Sequence, residues 1–394
     1  MPSAWRRFFI PGFLALVEIG CGAGGGPARY QSYAFAVMSQ SNPNDYSRQW
    51  FLSSLKIDET TGALTLAGTW PLASSGVVRS LAADPGGRFL CVARSGDPGD
   101  ISAFAIDGAS GELTEVAGSP FVAGESPQSI GFDAAGQFVY VLDNATIVAL
   151  SLDPQTGSLE EIPGSPFAVG YSTAMAIKPA GGHIYVAGNV PDGERLRPCI
   201  SAFTINPVTG ALAEMTGSPF AVRIAPSSFG RGELTCLAAD PAGRFLLGLA
   251  YATWNMSSFF IGPQTGALTE AALSPFNLRT YPKEIAVGPF GKWVFVVTDS
   301  EVCVFEIDAA TGTLREAAGS PYRGGSPGPI AVDPSGKFVY VGRWELAEGS
   351  SRNTIVPFSC NAVTGALTEL ADLSLVTDHE VAALTIIRIA QDRR

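Results

Sequence analysis

QSIGFDAAGQFVYVLDNATIVALSLDPQTGSLEEIPGSPF, residues 128–167, holds four apolar or alternating runs separated by turn chemistry. Ser129 to Phe132 stops at the turn Asp133-Ala134-Ala135-Gly136, and Phe138 to Leu142 is an aromatic, β-branched run of strand length. Ile147 to Leu152 alternates up to Asp153-Pro154-Gln155-Thr156-Gly157. There Asp accepts a backbone hydrogen bond, Pro presets φ, and Gly takes the left-handed conformation that closes a hairpin. A more polar fourth run, Ser158 to Ile162, ends at Gly164-Ser165-Pro166-Phe167, where Pro is expected to end the ladder and send the chain to the next unit. Apolar inner strands and a polar outer strand are what a radial sheet requires.

Outward from this unit the same punctuation returns. A Thr/Ser-Gly-x-Leu element occurs seven times, with glycines at Gly62, Gly111, Gly157, Gly210, Gly266, Gly312 and Gly365, in steps of 46 to 56 residues. Such steps fit one four-stranded propeller blade per copy. The expected fold is therefore all-β, a seven-bladed propeller of four-stranded antiparallel blades. At the N-terminus Tyr33 to Ser39 resembles a second strand, so the first blade lacks its innermost strand, while Glu380 to Ile389 stands alone at the other end. The C-terminal strand should join the N-terminal blade and close the ring, which removes exposed sheet edges. The first turns Asp84-Pro85-Gly86-Gly87, Asp240-Pro241-Ala242-Gly243 and Asp333-Pro334-Ser335-Gly336 read as turns, since no loop gathers the alternating oxygen ligands that calcium needs.

Charged residues are 15% and hydrophobic residues 46%, a balance that supports one large core. The net charge of −11 leaves no basic stripe for phosphate, so nucleic acid is not an expected partner. Residues 1–29 read as an export segment with a Gly-rich linker, and 30–394 as the propeller. Arg6-Arg7 precede the apolar stretch Phe8 to Ile19, too short to span a bilayer, and Ile19-Gly20-Cys21 resembles the end of a lipoprotein box. The expected location is extracytoplasmic: periplasmic, secreted, or tethered to a membrane only by a lipid on Cys21. The other five cysteines, Cys91, Cys199, Cys236, Cys303 and Cys360, fall in different blades and read as small buried hydrophobes, with one bridge still open.

Units such as Ile330 to Val341, followed by the Thr-Gly-x-Leu hairpin and Gly-Ser-Pro-Phe, resemble the seven-bladed β-propeller lactonase family typified by 6-phosphogluconolactonase. The similarity runs over roughly residues 30 to 392. It implies a hydrolase of sugar lactones with no cofactor or metal. The family's Pro-His is Pro127-Gln128 here, and Ala250-Tyr251 stands for its Asn-Glu.

Counting five positions back from each first-turn Asp or its equivalent gives a ring of inner-strand starts with Arg79, Gln128, Lys283 and His379, and beside it Glu284 and Glu380. His379 or Glu380 would serve as base, and Arg79, Gln128, Lys283 and Glu284 would hold a small anionic substrate at the channel mouth. His183 reads as a solvated turn residue. The other function class is an exported propeller without chemistry, binding a ligand or a protein on the long connections Gln40 to Gln49, Asn189 to Pro198, Arg223 to Glu233 and Trp344 to Asn353.

Overall fold

The computed structural model describes residues 29–41, 48–72, 76–192, 195–223, 233–323, 326–347, 350–377 and 379–391. They form seven antiparallel sheets. In blade 3 the strands run outward as Pro127–Phe132, Phe138–Asp143, Thr146–Leu152 and Leu159–Glu161. Each innermost strand touches the innermost strands of both neighbouring blades, so the sheets close a ring around a channel. Of the segment expected to direct export, residues 1–28, Cys21 among them, lie outside the described residues, and Arg29 belongs to the first described strand.

Blade 1 is composite, as expected. Its innermost strand is Glu380–Gln391, antiparallel to Arg29–Ser41, with Glu380 opposite Ser39 and Ile389 opposite Gln31. Arg48–Ile57 and Leu64–Leu72 complete it. Blades 2 to 7 each add a fifth short strand that the sequence did not suggest. In blade 3, Phe167–Ala168 follows Pro166 and pairs back on Thr146 and Ile147. The ladder thus resumes after the proline. Ser165 explains why the Gly-Ser-Pro-Phe motif repeats: its hydroxyl accepts the Ala149 amide at 3.0 Å, as Ser218 does for Ala202 and Ser320 for Val304.

The first-turn aspartates are spent on the backbone. Asp133 Oδ1 accepts the Gln137 and Phe138 amides, each at 2.7 Å, and Asp333 does the same for Phe338. They are turn residues.

A second repeated contact joins blade to blade. At each Thr-Gly-x-Leu glycine φ is positive, and a Cβ there would strike an aromatic ring on the second strand of the preceding blade. The Gly210 position lies 2.4 Å from the Phe138 ring, and Gly62 meets Phe338, which carries the series across the closure. His183 belongs to this series. Its ring sits 2.4 Å from the Gly266 position, stacked 6.4 Å from Tyr185, and burial lowers its pKa. The expectation of a solvated turn residue is corrected: Gly182, one residue earlier, holds the exposed turn position.

The five cysteines are free thiols. Burial pushes Cys236 and Cys303 up to about 12, so they are inert. Three of the four long connections are extended hairpins. They prolong the second and third strands of blades 1, 4 and 7, pairing out to Ser41–Arg48, Asp192–Arg195 and Ala347–Ser350. Strand direction puts the paired ends of all three at the end of the ring where the innermost strands begin. The fourth connection lies mostly outside the described residues.

Candidate functional site at the channel mouth

In blades 1, 2, 3, 4, 6 and 7 the innermost strand carries one extra residue near its start. Pairing skips Arg79, Gln128, Thr173 and Lys283 in blades 2, 3, 4 and 6. In blade 1 the skipped residue is Ala382. A bulge of this kind bends the strand and re-aims side chains at a rim. It also corrects the ring of inner-strand starts in blade 1, where Ala382 and Ala383 take the places assigned to His379 and Glu380. Those two lie three residues nearer the solvent. The reason is local: every other inner strand is anchored by a following turn, whereas this strand runs to the end of the chain.

In blades 2 and 6 the residue after the bulge stitches neighbouring blades. Ser80 Oγ accepts the Ile130 amide at 3.2 Å, and Glu284 accepts the Ile330 amide from the same position in blade 6. Corresponding residues are Ser129, Ala174 and Cys236. A neutral hydroxyl is enough for the stitch, so a carboxylate there exceeds what the fold needs. Glu284 is only partly exposed, and burial pushes its carboxyl up to about 7, the Ile330 hydrogen bond acting in the opposite sense.

Glu284 lines a cavity of about 470 Å³ set between blades 6, 7, 1 and 2. That volume lies within the range of small-molecule sites. Lys283, Glu380, Arg48, Arg343, Trp344 and Asn353 line it as well. Each cation has a carboxylate beside it. Lys283 Nζ is 3.2 Å from Asp299, Arg343 makes a two-pronged contact with Glu369 at 2.9 and 3.1 Å, and Arg48 is 3.9 Å from Glu380. The apolar cleft around Phe290 and Trp293, about 60 Å³, lies at the first-turn end of the ring and is too small for a sugar.

The structure therefore brings together Lys283, Glu284 and Glu380, and leaves the other three predicted residues outside the lining. Arg79 is exposed and its Nε donates to Ser95 Oγ at 3.2 Å. The Gln128 amide group donates to the carbonyl and hydroxyl of Ser126, both at 2.9 Å. The His379 ring stacks on Phe51 with centroids 4.7 Å apart, and its Nδ1 is buried. Arg48, Trp344 and Asn353 fall within the long connections given to the non-catalytic reading and Arg343 stands just before one; none was placed at the channel mouth, because the sequence did not show that the extended hairpins of blades 1 and 7 reach it.

A family model described as Lactonase, 7-bladed beta-propeller matches residues 45–146 and 262–381, together more than half of the chain. Among solved structures, the periplasmic gluconolactonase of Pseudomonas aeruginosa superposes with a TM-score of 0.68 at 16% identity, covering 91% of this chain and 99% of that one. A candidate 6-phosphogluconolactonase of Bacteroides fragilis gives 0.66 at 19% identity, with 91% and 98% covered. One from Bacteroides uniformis gives 0.65 at 16% identity, with 90% and 99% covered. At these identities the likeness is one of fold. The sequence matches no curated protein.

Proposed function

The chain belongs to the seven-bladed β-propeller lactonase family, and from that premise we propose that it hydrolyses a sugar lactone or a similar small ester at the channel mouth. The observation that carries the proposal is Glu284, a carboxylate poised near neutrality in a cavity lined by Lys283, Arg48 and Arg343. A base with a pKa near the working pH is ionised enough to accept a proton and acidic enough to return it. Ionised Glu284 takes a proton from a water whose oxygen bonds to the lactone carbonyl carbon. The ring carbon–oxygen bond then breaks, and Glu284 gives the proton to the leaving alkoxide, releasing a hydroxy acid. The cations supply positive potential to the developing oxyanion and to an acidic substituent. Glu380 is a weaker choice of base because its side chain is 58% exposed beside Arg48.

The test is turnover of aldonolactones, with and without phosphate, by the purified chain and by Glu284→Gln. Glu284→Gln should lose roughly 10²–10⁴ in kcat, and the wild-type kcat/KM should rise with pH through about 7. Retained turnover in the variant removes Glu284 as base. Absence of turnover on every lactone favours binding without chemistry, a reading supported by the hairpins of blades 1, 4 and 7 at the mouth.

We also propose that the protein works outside the cytoplasm, on the strength of the Arg6-Arg7 and Phe8 to Ile19 pattern and the fold shared with a periplasmic gluconolactonase. Sequencing the N-terminus of the chain made in a bacterial host tests this. An intact Met1 on a cytoplasmic product overturns it.

A further inference from the structure

We propose that Tyr251, Trp254 and Tyr281 form a carbohydrate-binding platform beside the channel mouth, taking the apolar face of a pyranose ring. The three side chains are 43%, 36% and 37% exposed. Tyr251 and Tyr281 lie with centroids 4.9 Å apart, and Trp254 meets Tyr281 nearly edge-on at 5.0 Å. Grouped exposed aromatics on a rigid blade end are costly to leave wet and mark a binding surface.

The backbone supplies an independent observation. Trp254 has φ of +56°, in a left-handed region that bulky residues rarely adopt. It is held there by its amide hydrogen bond to the Tyr251 carbonyl at 3.4 Å and by the Leu278 amide bonding to the Trp254 carbonyl at 2.6 Å. Gly or Asn would make this turn with less strain. The tight connection between Phe245–Ala250 and Asn255–Ile261 thus holds a tryptophan that the turn itself does not favour.

Position and chemistry select the ligand. Tyr281 lies two residues before Lys283, and the Asp299 amide donates to its carbonyl at 3.1 Å, so the Lys283–Asp299 ion pair stands on backbone that adjoins Tyr281. Ring faces next to a carboxylate and an ammonium match a pyranose, whose C–H face stacks and whose hydroxyls donate and accept at the rim. Centroids only about 5 Å apart leave no gap for a caged quaternary ammonium. Stacked nucleobases would need cations for their phosphates, and both nearby cations are engaged, Lys283 by Asp299 at 3.2 Å and Arg279 by Glu316 at 2.7 Å. The proposal does not depend on lactone hydrolysis.

The experiment titrates the full chain with oligomers of glucose, galactose, mannose and N-acetylglucosamine by calorimetry, alongside Trp254→Asn and Tyr281→Ala. Asn suits the left-handed turn, so that variant should keep the wild-type melt. At least one oligomer should bind, and each variant should bind it about tenfold more weakly or worse. Channel-mouth turnover, if present, should be unchanged in Trp254→Asn. Failure of all four oligomer classes to bind overturns the proposal, as does binding that survives both substitutions. Binding of an apolar dye but of no sugar at these rings also overturns it.

Discussion

Glu284 keeps its proton in the folded protein at pH values where the unfolded chain has lost it. Its pKa rises from 4.5 to about 7 on folding, mainly because the charged form loses solvent. Its contribution to stability is therefore complete below about 4.5 and is lost as pH rises towards about 7, since the unfolded state binds fewer protons across that window. At about 1.4 kcal/mol per pH unit the loss reaches at most about 3 kcal/mol. Glu284→Gln retains an oxygen for the Ile330 amide but has no proton to lose. Its unfolding free energy should stay flatter than that of the wild type from pH 4.5 to 7 and exceed it above pH 7. Equal pH slopes in denaturant titrations of the two proteins would show that Glu284 is not desolvated. The sequence placed Lys283 and Glu284 at the mouth by counting back from a turn, and there the count held because Gly288-Pro289 anchors it. Burial could not be read that way, since it depends on blades distant in sequence. His183 went wrong for a smaller reason: Gly181-Gly182 presents two candidate turn glycines, and taking the wrong one moves the histidine from an aromatic position to a solvated one.

The strand is the scale at which the site is made. An innermost strand with one extra residue cannot keep every side chain in the alternation that a flat ladder would impose, and the extra residue falls at the same height in blades 2, 3, 4 and 6. This fixes a rim position, filled by Arg79, Gln128, Thr173 and Lys283, and beneath it a stitching position. At Glu284 the position that holds a hydroxyl or a methyl in blades 2, 3 and 4 holds a carboxylate, which is what the proposed chemistry requires. The hairpins add the second half of the cavity. Val341-Gly342-Arg343-Trp344 continues its strand past the point where blade 3 turns at Asp143, and the paired residues carry Arg343, Trp344 and Asn353 up to the mouth. Turn spacing in the sequence showed that these connections were long. Whether the blade 7 connection was a loop or prolonged strands was not legible, because Glu345 to Arg352 lacks the Asn-Gly or Asp-Gly pair that would have marked a hairpin tip.

At the scale of the whole molecule, the described residues form seven buried apolar clusters, and each lies between two neighbouring blades. No blade buries its faces alone, so stability is shared around a ring and depends on the ring being shut. The number of blades was legible because one glycine per blade must meet the ring of the blade before it, and the manner of closure was legible because the ends supply three strands and one. The cluster between blades 7 and 1 combines Tyr340 and Ile355 with Ala34, Leu55, Val381 and Leu384, and the last two come from the C-terminal strand. The Tyr340 hydroxyl also donates to the Gly62 carbonyl at 2.9 Å across the same junction. A chain ending at Thr377 keeps six complete blades and every residue of the cavity on blades 2, 6 and 7. It loses the strand that pairs along Arg29–Ser41 and exposes that apolar edge. An unpaired edge of this length invites pairing with other copies. The truncated protein should elute as soluble aggregates, melt lower than the full chain, and return to a monomer when a peptide of residues 378–394 is added in trans. Size-exclusion chromatography and thermal melts decide it: a truncated chain that stays monomeric with the full-length melt would show that the ring is held by the blade-to-blade clusters alone and that the C-terminal strand is not its clasp.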